Sequence, residues 1–265
     1  MELPRYETVL TEMVGAHVLK ITLNRPQVGN ALNTQMGRDL YDLWSRLTED
    51  AGEVRCAVLT GAGERIFCAG GDLKERNGMT RQQWVRQHEL FERMAWTLTD
   101  LPLPVIAAVN GHAYGGGFET ILSCDFAYAS SAARFALTEV TLGIMPGAGG
   151  TQNLPRAVGG RRAKEILLTG RPFTVQQAFE WGMVNRVCKP HTLLAEALET
   201  AATIAANAPI STRQIKQSVD YGLNMDRASG MMFEIEAYNR MVPTDDRREG
   251  IRAFNEKRKP VFQGR

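Results

Sequence analysis

Apolar positions along the chain alternate between two periods. His17 to Leu23 is β-branched and roughly alternating, and Asn24-Arg25-Pro26 stops it, which predicts a strand. From Asn33 to Leu47 the apolar residues Met36, Leu40, Leu43, Trp44 and Leu47 fall on one helical stripe, with Asn33 or Thr34 placed to cap its start. Val54 to Leu59 reads as a short strand ended by Thr60-Gly61-Ala62-Gly63, and Arg81 to Thr97 as a helix with Trp84, Phe91 and Met94 on its apolar side. Val105 to Val109 is wholly apolar, as in a strand buried on both faces. Gly115-Gly116-Gly117 then opens a helical pattern over Phe118 to Cys124, and Asp125 to Ala129 reads as strand. Strand, strand, helix therefore recurs without any repeat of residue identity. From Arg161 onward helices dominate: Arg161 to Leu168, Val175 to Trp181, Leu194 to Asn207, Thr212 to Leu223, and an amphipathic stretch from Ser229 to Tyr238. No low-complexity linker divides the chain. The tail from Pro243 to Arg265 is highly charged, and its composition favours a solvated end over a docking arm.

Composition narrows the function. The 265 residues, 44% apolar and 23% charged, suit one large globular domain or two and exclude general disorder. Thirty-one basic against 29 acidic side chains leave a net charge of +2, which supports neither a nucleic-acid nor a membrane-surface partner. The run at Val105 to Val109 is far short of the ~20 residues a membrane helix needs. No charged start followed by an apolar stretch marks the N-terminus, so a cytoplasmic protein is expected. Cys56, Cys68, Cys124 and Cys188 show no CxxC spacing and read as reduced thiols. His17, His88, His112 and His191 form no metal-ligand pair, so no metal is expected.

Three glycine-rich turns adjoin the apolar strands: Cys68 to Asp72, Asn110 to Glu119, and Gly143 to Thr151. Each single turn is most simply a matter of chain geometry, but none fits a dinucleotide fingerprint, a phosphate loop or a nucleophile elbow. A pair of backbone amides, one per turn, would suit a carbonyl oxygen that gathers charge during reaction. Two carboxylates lie close by. Glu119 stands in the first turn of an inferred helix, where a simple partner for the helix dipole is the commoner role. Glu139 stands in the mostly apolar segment Phe135 to Gly143; burial there would raise its pKa and suit it to donating a proton.

The strings PVIAAVNGHAYGGGFE, CDFAYAS, FALTEVTLGIMPGAGGTQNLPR and LLTGRPFTVQQAFEWGMVNRV resemble the crotonase superfamily of enoyl-CoA hydratases and isomerases. FCAGGDLKE resembles its first oxyanion turn, and EGIRAFNEKRKPVFQG its C-terminus. The match runs from Leu23 to Gly264. The resemblance implies an α/β fold in which repeated ββα units form a spiral (residues 1–195), with a helical oligomerisation region (196–265) that builds homotrimers or homohexamers. It implies acyl-CoA thioester substrates, with coenzyme A as part of the substrate and no separate cofactor. It places the oxyanion amides at Gly71 and Gly116. It makes Glu119 the residue that holds water and accepts its proton, and Glu139 the proton donor to the α-carbon, with the two able to share these roles. Ala69, Lys74, Phe254 and Lys257 match nucleotide-side positions, the last two reaching over from a neighbouring subunit. Gln27-Val28-Gly29 stands where a basic residue often meets the CoA phosphates. Trp84, Phe91, Met94 and Trp96, within Met79 to Trp96, are expected to shape the acyl tunnel, or else to pack in the core.

Hydration of a 2-enoyl-CoA is the reading that uses both glutamates. A Δ3,Δ2-enoyl-CoA isomerase generally manages with one. Tyr114 to Glu119, FALTE and the Phe-Gln-Gly-Arg ending also resemble crotonobetainyl-CoA (carnitinyl-CoA) hydratase. Some relatives bind RNA through a lysine-rich helix, but here the Asn33 to Leu47 helix carries only Arg38 and Arg46 as bases.

Overall fold

The computed structural model describes residues 3–265. Among the described residues, ten strands form two sheets. β1 (Val9–Val14), β2 (Val18–Leu23), β3 (Cys56–Gly61), β5 (Val105–Val109), β7 (Phe126–Ser130) and β10 (Arg186–Cys188) lie in that order in the larger sheet. β4 (Ile66–Cys68), β6 (His112–Tyr114), β8 (Arg134–Ala136) and β9 (Phe173–Thr174) form the smaller one. β1 and β2 are an antiparallel pair, whereas β2, β3, β5, β7 and β10 run parallel.

The chain winds as a spiral. β3, β5 and β7 each lead directly into a strand of the smaller sheet (β4, β6, β8) and then into helices. These are α2 (Leu73–Arg76) and α3 (Arg81–Thr99), then α4 (Gly116–Leu122), then α5 (Gly150–Val158) and α6 (Gly160–Thr169). α7 (Val175–Glu180) precedes β10, and α8 (Leu193–Ala205), α9 (Pro209–Gly222), α10 (Arg227–Asn239) and α11 (Asp245–Asn255) complete the chain.

Burial follows from this layering. β3 and β5 are buried at every position because both faces are covered. On one side they meet Ala197, Ala201 and Ala205 of α8. On the other they meet the main core, which holds α1 (Thr34–Glu49) through Leu40, Leu43 and Trp44, and α3 through Phe91, Met94 and Leu98. The Asn33 side chain accepts from the Met36 amide at 2.9 Å, which makes Asn33 the cap of α1.

The structure corrects the expected solvated tail. α11 is docked, with Asp246, Glu249 and Ala253 buried. The Asp246 carboxylate accepts from the amides of Gln263 (2.7 Å) and Gly264 (2.8 Å). Glu249 takes Arg252, Arg258 and the Val261 amide. Arg55 donates to the Phe262 carbonyl at 2.9 Å, which ties the tail to the start of β3. The tail's charges are thus largely spent on one another and on its own backbone. β1, α5 and the short strands of the smaller sheet are further elements that hydrophobic spacing did not predict.

Candidate active site

β4, β6 and β8 are parallel, so their C-terminal ends lie on one edge of the smaller sheet. They feed Ala69-Gly70-Gly71, Gly115-Gly116 and Thr138-Glu139 respectively. The first turn is held on both sides of Gly71: the Leu32 amide donates to the Gly70 carbonyl (2.8 Å), and the Asp72 amide to the Leu32 carbonyl (2.9 Å). Asp72 also caps α2 and pairs with Arg25 at 3.0 Å.

Two glycines let the first two turns meet. Gly70 has φ +91°, and a Cβ there would stand 2.8 Å from the Tyr114 carbonyl oxygen and 3.4 Å from the Gly116 nitrogen. A Cβ on Gly117 would stand 2.4 Å from the Cys68 carbonyl oxygen. Bare backbone therefore brings the start of α4 against the β4 turn. Gly116 is the first residue of α4, where an amide has no partner within the helix. Among the described residues, neither the Gly71 nor the Gly116 amide donates a hydrogen bond. The structure thus sets two unspent donors on adjacent turns.

Both glutamates are buried, Glu119 at 3% and Glu139 at 8% exposure. Glu119 leaves α4 and turns to the third glycine-rich turn, where its Oε1 accepts from the amides of Ala148 and Gly150, both at 2.8 Å. That turn therefore positions a carboxylate, a role its sequence did not disclose. Burial raises the Glu119 pKa, and these amides draw it back. Glu139 opens a single 3₁₀ turn, Glu139–Leu142. Its Oε2 is buried without a hydrogen-bond partner. Burial, with the Glu119 charge adding to it, pushes its pKa up to about 7, while Arg76 opposes the rise. One carboxylate is fixed by donors, and its neighbour is poised to hold a proton near neutrality.

Both glutamates, both turns and Ala69 line one cavity of about 370 Å³. Trp84, Phe91 and Met94 line it from α3, with Leu142, Ile144 and Met145 among the remaining apolar walls. Trp96 is 69% exposed and takes no part, which corrects its expected place in the acyl wall. Lys74 is exposed on α2, two residues after its cap Asp72. Phe254 (84% exposed) and Lys257 lie at the end of α11 and do not line the cavity of their own chain. Two basic side chains of the cavity escaped sequence reasoning. Arg76 lines the cavity beside Gly71, and His88 lines it so closely to Gly147 that a Cβ on that glycine would stand 2.6 Å from the imidazole Cε1.

The chain matches the family model described as enoyl-CoA hydratase/isomerase over residues 14–265. It is 46% identical over 258 residues to Bacillus subtilis (strain 168) YngF, named as an enoyl-CoA hydratase/isomerase, covering 97% of this chain and 99% of that one. It is 40% identical over 242 residues to the short-chain-enoyl-CoA hydratase of Clostridium acetobutylicum, covering 91% and 92% of the two chains. Its fold superposes on the crystal structure of an enoyl-CoA hydratase from Bacillus anthracis with a TM-score of 0.95, at 43% identity and with 98% and 100% of the chains covered.

Proposed function

The chain belongs to the enoyl-CoA hydratase/isomerase family and has its spiral crotonase fold, and from that premise we propose that it adds water across the 2,3 double bond of a 2-enoyl-CoA thioester. The observation that carries this reading is a single cavity with two unspent amides and two buried carboxylates in different environments. Attack of water at the β-carbon pushes charge onto the thioester oxygen. Donors at Gly71 and Gly116 aimed at that oxygen would stabilise the enolate-like transition state, each by about 3 kcal/mol. Glu119, held through Oε1, presents its other oxygen to the water and accepts a proton from it. Glu139, protonated near neutral pH, delivers a proton to the α-carbon. The proton that Glu119 takes from water then replaces the one that Glu139 has given up. Over a full turnover the substrate gains one water, both carboxyls return to their starting states, and the step balances without a cofactor.

Ala69 and Lys74 are assigned to the nucleotide end of the substrate, and Phe254 and Lys257 to the same end from a neighbouring subunit. The strong exposure of Phe254 on a docked helix supports that assignment. We assign residues 1–195 to the core that carries the site and 196–265 to assembly into a homotrimer or homohexamer. No helix among the described residues is long and apolar enough to cross a membrane, and we place the enzyme in the cytoplasm.

The test is loss of the conjugated-thioester ultraviolet absorbance with trans-2-enoyl-CoA esters of rising length, crotonobetainyl-CoA included, against a Glu139→Gln control. Fast loss that the variant abolishes, with acyl-CoA binding kept, is the expected result. Binding without hydration, accompanied by migration of a double bond in 3-enoyl-CoA esters, would replace this reading with the isomerase.

A further inference from the structure

Arg76 is a cation in the cavity that the hydration chemistry does not use. Its Nε donates to the Gln87 Oε1 at 2.8 Å. Gln87 is 3% exposed, and its Nε2 donates to Glu75 Oε2 and Thr34 Oγ1, both at 2.8 Å. That pairing fixes which end of the Gln87 amide faces the guanidinium. The Arg76 guanidinium carbon lies 4.6 Å from the Trp84 ring centre and 5.5 Å from that of Phe91. The side chain is therefore held at its base and packed against two aromatic rings, with its fork toward the cavity beside Gly71. Among the described residues, neither terminal guanidinium nitrogen has a hydrogen-bond partner, and no carboxylate forms a salt bridge with it.

An apolar acyl group in this cavity would strip water from the guanidinium and return nothing, which is costly for a charge. An acyl group with a carboxylate at its far end would meet a planar fork that binds carboxylates through two hydrogen bonds. Such a group would also meet repulsion from the Glu119 carboxylate, which Arg76 offsets. Because the fork sits beside Gly71, where the thioester oxygen is proposed to lie, the chain between the two ends must be short. Resting on the hydratase reading above, we propose that Arg76 selects short 2-enoyl-CoA substrates whose acyl chain ends in a second carboxylate, that is, the monothioesters of unsaturated dicarboxylic acids.

The test compares trans-glutaconyl-CoA with trans-2-pentenoyl-CoA, which have the same carbon count and differ only at the acyl terminus. The wild type is expected to favour the first by at least about 10-fold in kcat/KM, the scale of a hydrogen bond to a charged group. Arg76→Met should lower that ratio about 10- to 100-fold, and Arg76→Lys should recover part of it. A wild type without preference, or a ratio that Arg76→Met leaves unmoved, overturns the proposal. So does an equal loss of affinity for every CoA ester, which would make Arg76 a phosphate contact. Hydration of neither ester would overturn the hydratase reading itself. Calorimetric binding of glutaryl-CoA against pentanoyl-CoA then still decides the role of Arg76: a preference for the diacid that Arg76→Met removes supports it, and equal binding overturns it.

Discussion

The Gly150 amide donates to Glu119 Oε1 at 2.8 Å, and this bond joins α4 to the start of α5. A Cβ on Gly150 would stand 2.9 Å from that same oxygen. The glycine therefore both holds the carboxylate and leaves room for it. Gly150→Ala should displace Glu119 by a few tenths of an ångström and lower kcat about tenfold, since small misplacements of reacting groups are costly. Glu119→Gln keeps an oxygen able to accept both amides, so the fold should persist while hydration falls about 10³-fold. Steady-state rates beside thermal melts check both. Equal losses of rate and of melting temperature in Glu119→Gln would mark the residue as structural.

Glu139 must carry its proton to act as the donor. With a pKa near 7, kcat/KM should fall as pH rises through that value, with that limb missing from the residual activity of Glu139→Gln. The stability consequence has a definite sign. Between the ordinary carboxylate range and about pH 7, the native protein keeps a proton that the unfolded chain has lost, so this group's contribution to stability declines across that window and levels off above it. Glu139→Gln removes the effect and should gain on the wild type between about pH 5 and about pH 8 in urea unfolding. A constant difference between the two proteins would refute the raised pKa.

Much of this site was legible in the chain because its parts are local. Glu139 stood out as an acid in an apolar segment, and the Gly70 and Gly117 turns as glycines beside strands. Asn33 showed as a cap before a periodic stripe. The parts that escaped depend on three-dimensional closure. Strands of two or three residues, such as β8 and β9, are too short to show a period. α5 contains Pro155 and only nine residues, so its apolar side is too short to announce a helix. Trp96 lies five positions beyond Phe91, which at about 3.6 residues per turn points it away from the cavity. Arg76 looks like any charged surface residue until Gln87, eleven positions on, is seen to hold it.

The docked tail rests on buried acceptors. Asp246 accepts two backbone amides and is 3% exposed. Asp246→Ala would leave both amides without a partner and should cost about 2–3 kcal/mol by denaturant unfolding. Cleavage in limited proteolysis should move to residues 258–265. An unchanged cleavage pattern would show that the Arg55 contact to Phe262 suffices to hold the tail.

α9 and α10 pack together yet leave Ile215, Val219, Leu223, Met232, Ile235 and Tyr238 largely exposed. Apolar side chains spread over two adjoining helices are uncommon on a free surface and suit contact with another copy of the chain. Ile235→Glu would place a charge in that contact, and sedimentation velocity should show a smaller species than the trimer or hexamer proposed for the wild type. If Phe254 and Lys257 complete the nucleotide site of a neighbour, this dissociation should also raise KM for every CoA ester. Lys257→Ala should raise KM several-fold with the assembly intact, since it removes one charge contact without touching α9 or α10. A dissociated Ile235→Glu protein with an unaltered KM would return Phe254 and Lys257 to the solvated surface and leave each subunit's site complete on its own.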